Sequence, residues 1–221
     1  EIRLSLVGSE MCIRDRFYAG LTTMSTLQTP TNLPPDLFRA PPHKLAQRIH
    51  LIGKVDVAPI RARLATKTAA EWLENSMRQK QFAVHKDTQT LVLKWCENTS
   101  TDTPVETSRH FADFEDLLAP ILAQIQFDYG YEKPVVRKAM FAKLRGGGEI
   151  ICHVDGSVAL RMVHRIHIPI VTNPGVHFYI DDIDHNFKEG EIVEFDNTRY
   201  HAVKNAGSED RIHLIIDYYH Q

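Results

Sequence analysis

The chain has 221 residues, 43% of them hydrophobic, which is enough to bury one substantial core. A formal charge of −2 and a pI near 6.7 leave no basic surplus, so neither nucleic acid nor an anionic membrane surface is an expected partner. Cys12, Cys96 and Cys152 are scattered without a C-x-x-C, which excludes a thiolate zinc cluster, argues against a disulfide framework and suits a reducing cytoplasm. No apolar run approaches the roughly 20 residues a membrane-crossing helix needs.

The opening "EIRLSLVGSEMCIRDR" shows no signal-peptide layout and resembles translated adapter sequence found at the ends of environmental reads, so residues 1–16 are set aside and Met24 is the expected start. "TPTNLPPDLFRAPPH" (29–43) holds five prolines and reads as an extended lead-in. Residues 1–43 are therefore expected to lie outside a single folded unit, 44–221, with helical support over 44–134 and a β core over 135–221.

"LAQRIHLIGKVDV" (45–57) alternates weakly and reads as a first strand. The spacing of Leu64, Trp72, Leu73 and Met77 predicts one helix from Pro59 to Met77, with Asp56 as its cap. "TLVLKWC" (90–96) reads as a strand and "TSTDTPVETS" (99–108) as a loop. Phe114, Leu117, Leu118, Ile121, Leu122 and Ile125 give the 3.6-residue period of a second helix over 113–127, in which Pro120 marks a kink. Trp72 and Trp95 are expected in the core.

From Val135 onward the pattern changes to seven short β-like runs: "VVRKAMFAKL", "EIICHVD", "RIHIPIV", "VHFYID", "EIVEFD", "HAVKN" and "RIHLIIDYY". Gly-, Pro-, Asn- and Asp-containing breaks separate them, as expected for an antiparallel sandwich or barrel. The fold class is α+β, mainly β, with helices packed against a jelly roll. "RGGG" (145–148) is no phosphate cradle, since no helix follows it, and reads as a flexible lip beside the functional site. "IDDIDH" (180–185) reads as a solvated turn.

Side chains at i and i+2 of a strand share a face. His153 with Asp155, Arg165 with His167, and Arg211 with His213 and Asp217 thus sit opposite the aliphatics Ile166, Ile168, Ile170, Ile212, Leu214 and Ile216. If that polar side faced water, this would be an ordinary half-solvated sheet. His201 changes the balance, because a hairpin centred near Gly207 would place it across from His213 on the same face, with Val203 across from Arg211. His153, Asp155 and His201 then supply the two imidazoles and one carboxylate that hold Fe(II) facially in non-haem oxygenases and leave three positions open. A 2-oxo diacid can fill two of these and dioxygen the third, with Arg211 gripping the distal carboxylate. The same three ligands also fit a zinc-dependent hydrolase or a non-catalytic cupin-like binding module. Asp196 and Asn197 are candidates to orient His201. His164, His177, His185 and His220 read as surface or hydrogen-bonded imidazoles.

"HVD", "RIHIPIVTNPGVHF", "KEGEIVEFDNTRYHAVKNAG" and "RIHLIIDYY" resemble the aspartyl/asparaginyl β-hydroxylase family of 2-oxoglutarate-dependent oxygenases. The resemblance implies a double-stranded β-helix with Fe(II) on His153, Asp155 and His201. It further implies 2-oxoglutarate on Arg211, and Arg165 and His167 reaching the cosubstrate or an acidic substrate group. Animal members lack the metal-binding carboxylate, so Asp155 places the chain nearer the bacterial, proline-hydroxylase-like branch. The expected reaction is hydroxylation of an unactivated C–H bond of a small-molecule or peptide substrate, most simply an amino acid or an amino-acid side chain, with dioxygen consumed.

Overall fold

A computed structural model describes residues 48–76, 83–96 and 104–220. The proline-rich lead-in and Met77 lie outside the described residues. The first elements are β1 (Ile49–Lys54), α1 (Ala58–Leu64) and α2 (Ala69–Leu73). Asp56 Oδ1 accepts the Ala58 N–H, and Pro59 falls in the first turn of α1, where a missing N–H costs nothing. The single helix predicted over 59–77 is two short ones, because Thr68 takes an extended conformation and opens a fresh capping box with Glu71. The new register turns Leu73 outward, half exposed, while Trp72 is buried.

A 3-10 turn (Ala83–His85) leads into β2 (Thr88–Trp95), and β3 (Glu106–Thr107) pairs back on it within the segment read as loop. Helix α3 (Glu115–Tyr129) continues through Pro120 and stops at Gly130, whose left-handed φ of 65° suits glycine. Its buried stripe is Leu118, Ile121 and Ile125, with Phe114 at its start. Eight further strands follow: β4 (Pro134–Leu144), β5 (Glu149–His153), β6 (His164–Val171), β7 (Val176–Ile180), β8 (Ile183–His185), β9 (Glu191–Phe195), β10 (His201–Asn205) and β11 (Arg211–His220). A one-turn helix α4 (Val158–Arg161) joins β5 to β6.

The strands form two sheets, β1-β9-β6-β11-β4-β2-β3 and β5-β10-β7-β8. From β4 onward the chain passes back and forth between them, the winding of a double-stranded β-helix. Ile166, Ile168, Ile170, Leu214 and Ile216 form one core on the outer face of the larger sheet with Ile60, Leu64, Trp72, Phe114 and the α3 stripe. A second core lies between the sheets, with Phe178, Ile180, Phe195 and Val203 among its members.

Three local expectations are corrected. β10 pairs with β5 and β7, whereas β11 pairs with β4 and β6, so no β10–β11 hairpin exists and the turn around Gly207 crosses between sheets. The "RGGG" turn is at the far end of β5, about 13 Å along the strand from His153. It is pinned rather than loose: Asp87 takes Arg145 and the Glu149 N–H, Asp210 takes the Gly146 N–H, and a Cβ on Gly146 would strike the Ser208 carbonyl. "IDDIDH" turns at Asp181 and Asp182, both at positive φ, and then continues as β8.

Candidate metal centre and cosubstrate pocket

His153 closes β5 and His201 opens β10, and the two are directly paired across the smaller sheet. Their rings lie 4.2 Å apart. Each ring's Nδ1 meets a carbonyl two residues back: His153 donates to Ile151 O at 2.8 Å and His201 to Arg199 O at 2.9 Å. These bonds fix the tautomer that leaves both Nε2 lone pairs available, the arrangement a metal-binding imidazole needs. Burial pushes the His201 imidazole down to about 4, against an upward pull from Asp155, so the ring is neutral and ready to ligate.

Asp155 lies just past the end of β5, where its N–H donates to Asn197 O. Its Oδ2 accepts from Arg165 Nη1 at 2.7 Å and from Asn197 Nδ2 at 3.2 Å, while Oδ1 lies 3.8 Å from His153 Nε2. Burial alone would raise this carboxyl, but Arg165, His201 and His153 together hold it well below the usual range. One potential ligand atom from each of His153, Asp155 and His201 falls within 4.8 Å of the others, the one such cluster among the described residues.

Deeper between the sheets lie His167, His213 and Arg211. Arg211 is 1% exposed and has no carboxylate partner among the described residues. Its Nη2 donates to His213 Nδ1 at 2.6 Å, while its Nε and His213 Nε2 have no partner among the described residues. Burial without a counter-charge pushes the guanidinium down to about 9 and holds both His167 and His213 well below their ordinary value. His167 lies in the electrostatic reach of Arg211, Arg165, His201 and Asp155, which places it between the triad and the buried cation. Phe195 and Phe178 wall off the His201 and His167 rings from solvent.

Arg165 is in the site, but its fork rests on the protein's own carboxylates. Nε and Nη2 donate to the two oxygens of Asp217 at 2.9 and 3.0 Å, and Nη1 donates to Asp155. Asn197, a candidate for orienting His201, instead fixes Asp155 and the Leu160 carbonyl, and Asp196 caps Thr198. A cavity of about 690 Å³ opens on His153, Asp155 and Arg165. Its walls include Trp95, Met140 and Lys138, and its rim Glu74, Arg109 and His110. Trp95, expected in the core, is thus a cavity wall with Lys138 Nζ 4.4 Å over its ring. Sequence spacing carried no signal for Lys138 or for the rim residues, because they come from β4, the end of α2 and the loop before α3. The buried His164 is hydrogen-bonded to Glu194 and Tyr131 on the outer face of the larger sheet, as a satisfied imidazole should be.

The residues present fit a hard-ligand divalent cation beside a small dianion. Two imidazoles and one carboxylate converge, and Arg211, a buried cation with no carboxylate partner among the described residues, lies deeper between the sheets. Residues 62–221 match the family model for aspartyl/asparaginyl β-hydroxylase. No curated protein matches the chain. Solved structures similar to it include an oxidoreductase of the 2OG-Fe(II) oxygenase family from Burkholderia pseudomallei, at 14% identity and a TM-score of 0.49 over 76% of this chain and 91% of that one. A Pseudomonas putida prolyl-4-hydroxylase is similar at 13% identity and a TM-score of 0.44, over 78% and 91% of the two chains. With the family model spanning most of its length, the chain belongs to the aspartyl/asparaginyl β-hydroxylase family and is a 2-oxoglutarate-dependent oxygenase whose cofactors are Fe(II) and 2-oxoglutarate.

Proposed function

We propose that the protein hydroxylates an unactivated C–H bond of an amino acid, free or within a peptide, using His153, Asp155 and His201 to hold Fe(II). Fe(II) with 2-oxoglutarate and dioxygen supplies the oxidising chemistry, releasing succinate and carbon dioxide as one oxygen atom enters the substrate. The protein's share is placement and exclusion of water. The Ile151 and Arg199 carbonyls aim the two imidazoles, and Asn197 with Arg165 aims the carboxylate.

Arg211 grips the distal carboxylate of 2-oxoglutarate, with His167 lining the path to it. The observation that carries this assignment is a fully buried guanidinium with no acid to neutralise it, on the same side as the triad. Charge supports it as well. The two guanidiniums equal Asp155 and Asp217 in number although both carboxylates lie on Arg165, so a divalent cation and a dianion enter together without leaving a net buried charge, the dianion meeting Arg211. The cavity walled by Trp95, Met140 and Lys138 receives the substrate.

Succinate release measured across free amino acids and short peptides tests this reading. It predicts release above the uncoupled background for at least one amino-acid compound, together with a product heavier by one oxygen. Uniform background release across the panel, with turnover on a substrate of another class, would overturn the substrate assignment.

A further inference from the structure

We propose that Asp217 is a positioning residue for the metal: it occupies Arg165 so that Asp155 presents a single oxygen, Oδ1, to the ion. The inference rests on the assignment of His153, Asp155 and His201 as ligands. Asp217 lies on β11 directly opposite Arg165 on β6, is 1% exposed and faces the inside of the sandwich. It touches none of the three ligands, so its work passes through Arg165.

A guanidinium presents a rigid fork that favours a bidentate grip on one carboxylate. Here the Nε/Nη2 edge is taken by both oxygens of Asp217, which leaves Nη1 alone for Asp155. Nη1 and Asn197 Nδ2 both donate to Oδ2 of Asp155, and no donor meets Oδ1 among the described residues. With asparagine in place of Asp217, a single neutral oxygen would replace the charged bidentate grip on the fork's far side. Arg165 could then turn onto Asp155 and engage both its oxygens, in direct competition with the cation. Asp217 also supplies the second negative charge needed where Arg165 and Arg211 are both buried.

The experiment is anaerobic titration of the metal-free protein with Co(II), followed by its d–d absorption, on wild type, Asp217→Asn, Arg165→Gln and the double variant. Thermal melting of each metal-free protein is the folding control. The expected result for Asp217→Asn is Co(II) affinity weaker by about 10- to 100-fold with altered bands, the usual loss when a ligand's orienting partner is removed. Because Asp217 acts through Arg165, the double variant should lose no more than Arg165→Gln alone, within about twofold. A merely structural role would lower the melting temperature and leave affinity and bands intact.

If Asp217→Asn does not fold, the comparison of the double variant with Arg165→Gln carries the test: equal affinities support the inference and a further loss in the double variant overturns it. Wild-type affinity and bands in Asp217→Asn, or losses that simply add in the double variant, would overturn the inference. His153→Ala separates the two levels. If it binds Co(II) as well as wild type, the ligand assignment itself fails. If it does not bind while Asp217→Asn binds normally, only the role of Asp217 fails.

Discussion

The two faces of the larger sheet are built from the same strands and could hardly differ more. On the helix side, β6 and β11 present Ile166, Ile168, Ile170, Leu214 and Ile216, packed on α1, α2 and α3. On the inner side the intervening residues are Arg165, His167, Arg211, His213 and Asp217, all buried. Strand alternation thus gives one face to stability and the other to chemistry. The inner face tolerates its burial because its charges answer one another or await a ligand. The outer face has no such requirement.

If that division is real, substitutions on the two faces should fail in different ways. The largest effect is expected from His201→Ala, which removes one of the three proposed ligands. Calorimetric titration with Fe(II) should show tight binding abolished, while the melting temperature of the metal-free protein changes little. Next comes Arg211→Ala. Cosubstrate affinity should fall by about 2–5 kcal/mol, as for other buried charge contacts to a bound ion, with turnover partly restored at high 2-oxoglutarate. A Kd for the distal carboxylate unchanged in this variant would leave Arg211 without its assigned role.

On the other face, Ile168→Ala should cost about 2–5 kcal/mol of folding stability by leaving a cavity, read by denaturant unfolding. Its Fe(II) affinity, measured at low temperature on folded protein, should match wild type. Smaller still is a pH effect confined to the inner face. His167 and His213 are held neutral, with their values depressed by burial and by Arg211. In the unfolded chain they take up protons near pH 6.5, whereas in the folded protein they do not. The stability they allow is therefore complete above about pH 6.5 and declines as pH falls below it, by up to about 1.4 kcal/mol per pH unit for each histidine. His213→Asn should flatten that slope in chemical unfolding of the metal-free protein.

Much of the inner face was legible in the sequence because alternation is a strong signal: parity alone put Arg165, His167, Arg211, His213 and Asp217 opposite the aliphatics of β6 and β11, where they lie. Parity names a face but not a neighbour. It therefore suggested a β10–β11 hairpin, whereas the chain crosses to the other sheet after Asn205, and His201 pairs with His153 instead of His213. The orienting bonds were equally hidden. Carbonyls of Ile151 and Arg199 fix the imidazoles, and backbone atoms carry no residue identity to read. Asn197 was expected to meet His201 but donates to Asp155 instead, since which side chain it meets depends on the loop between β9 and β10. The split at Thr68 was legible in principle, because Thr68 and Glu71 make a capping box that a single long helix would bury.

The division into a stabilising and a reactive face stands or falls on what the inner face can hold. Anaerobic addition of Fe(II) and 2-oxoglutarate to wild type and to His201→Ala is the direct measurement, followed by visible absorption. A charge-transfer band from the chelated 2-oxo acid should grow to one equivalent in wild type and be missing in the variant. No band in wild type, or the same band in His201→Ala, would contradict the account.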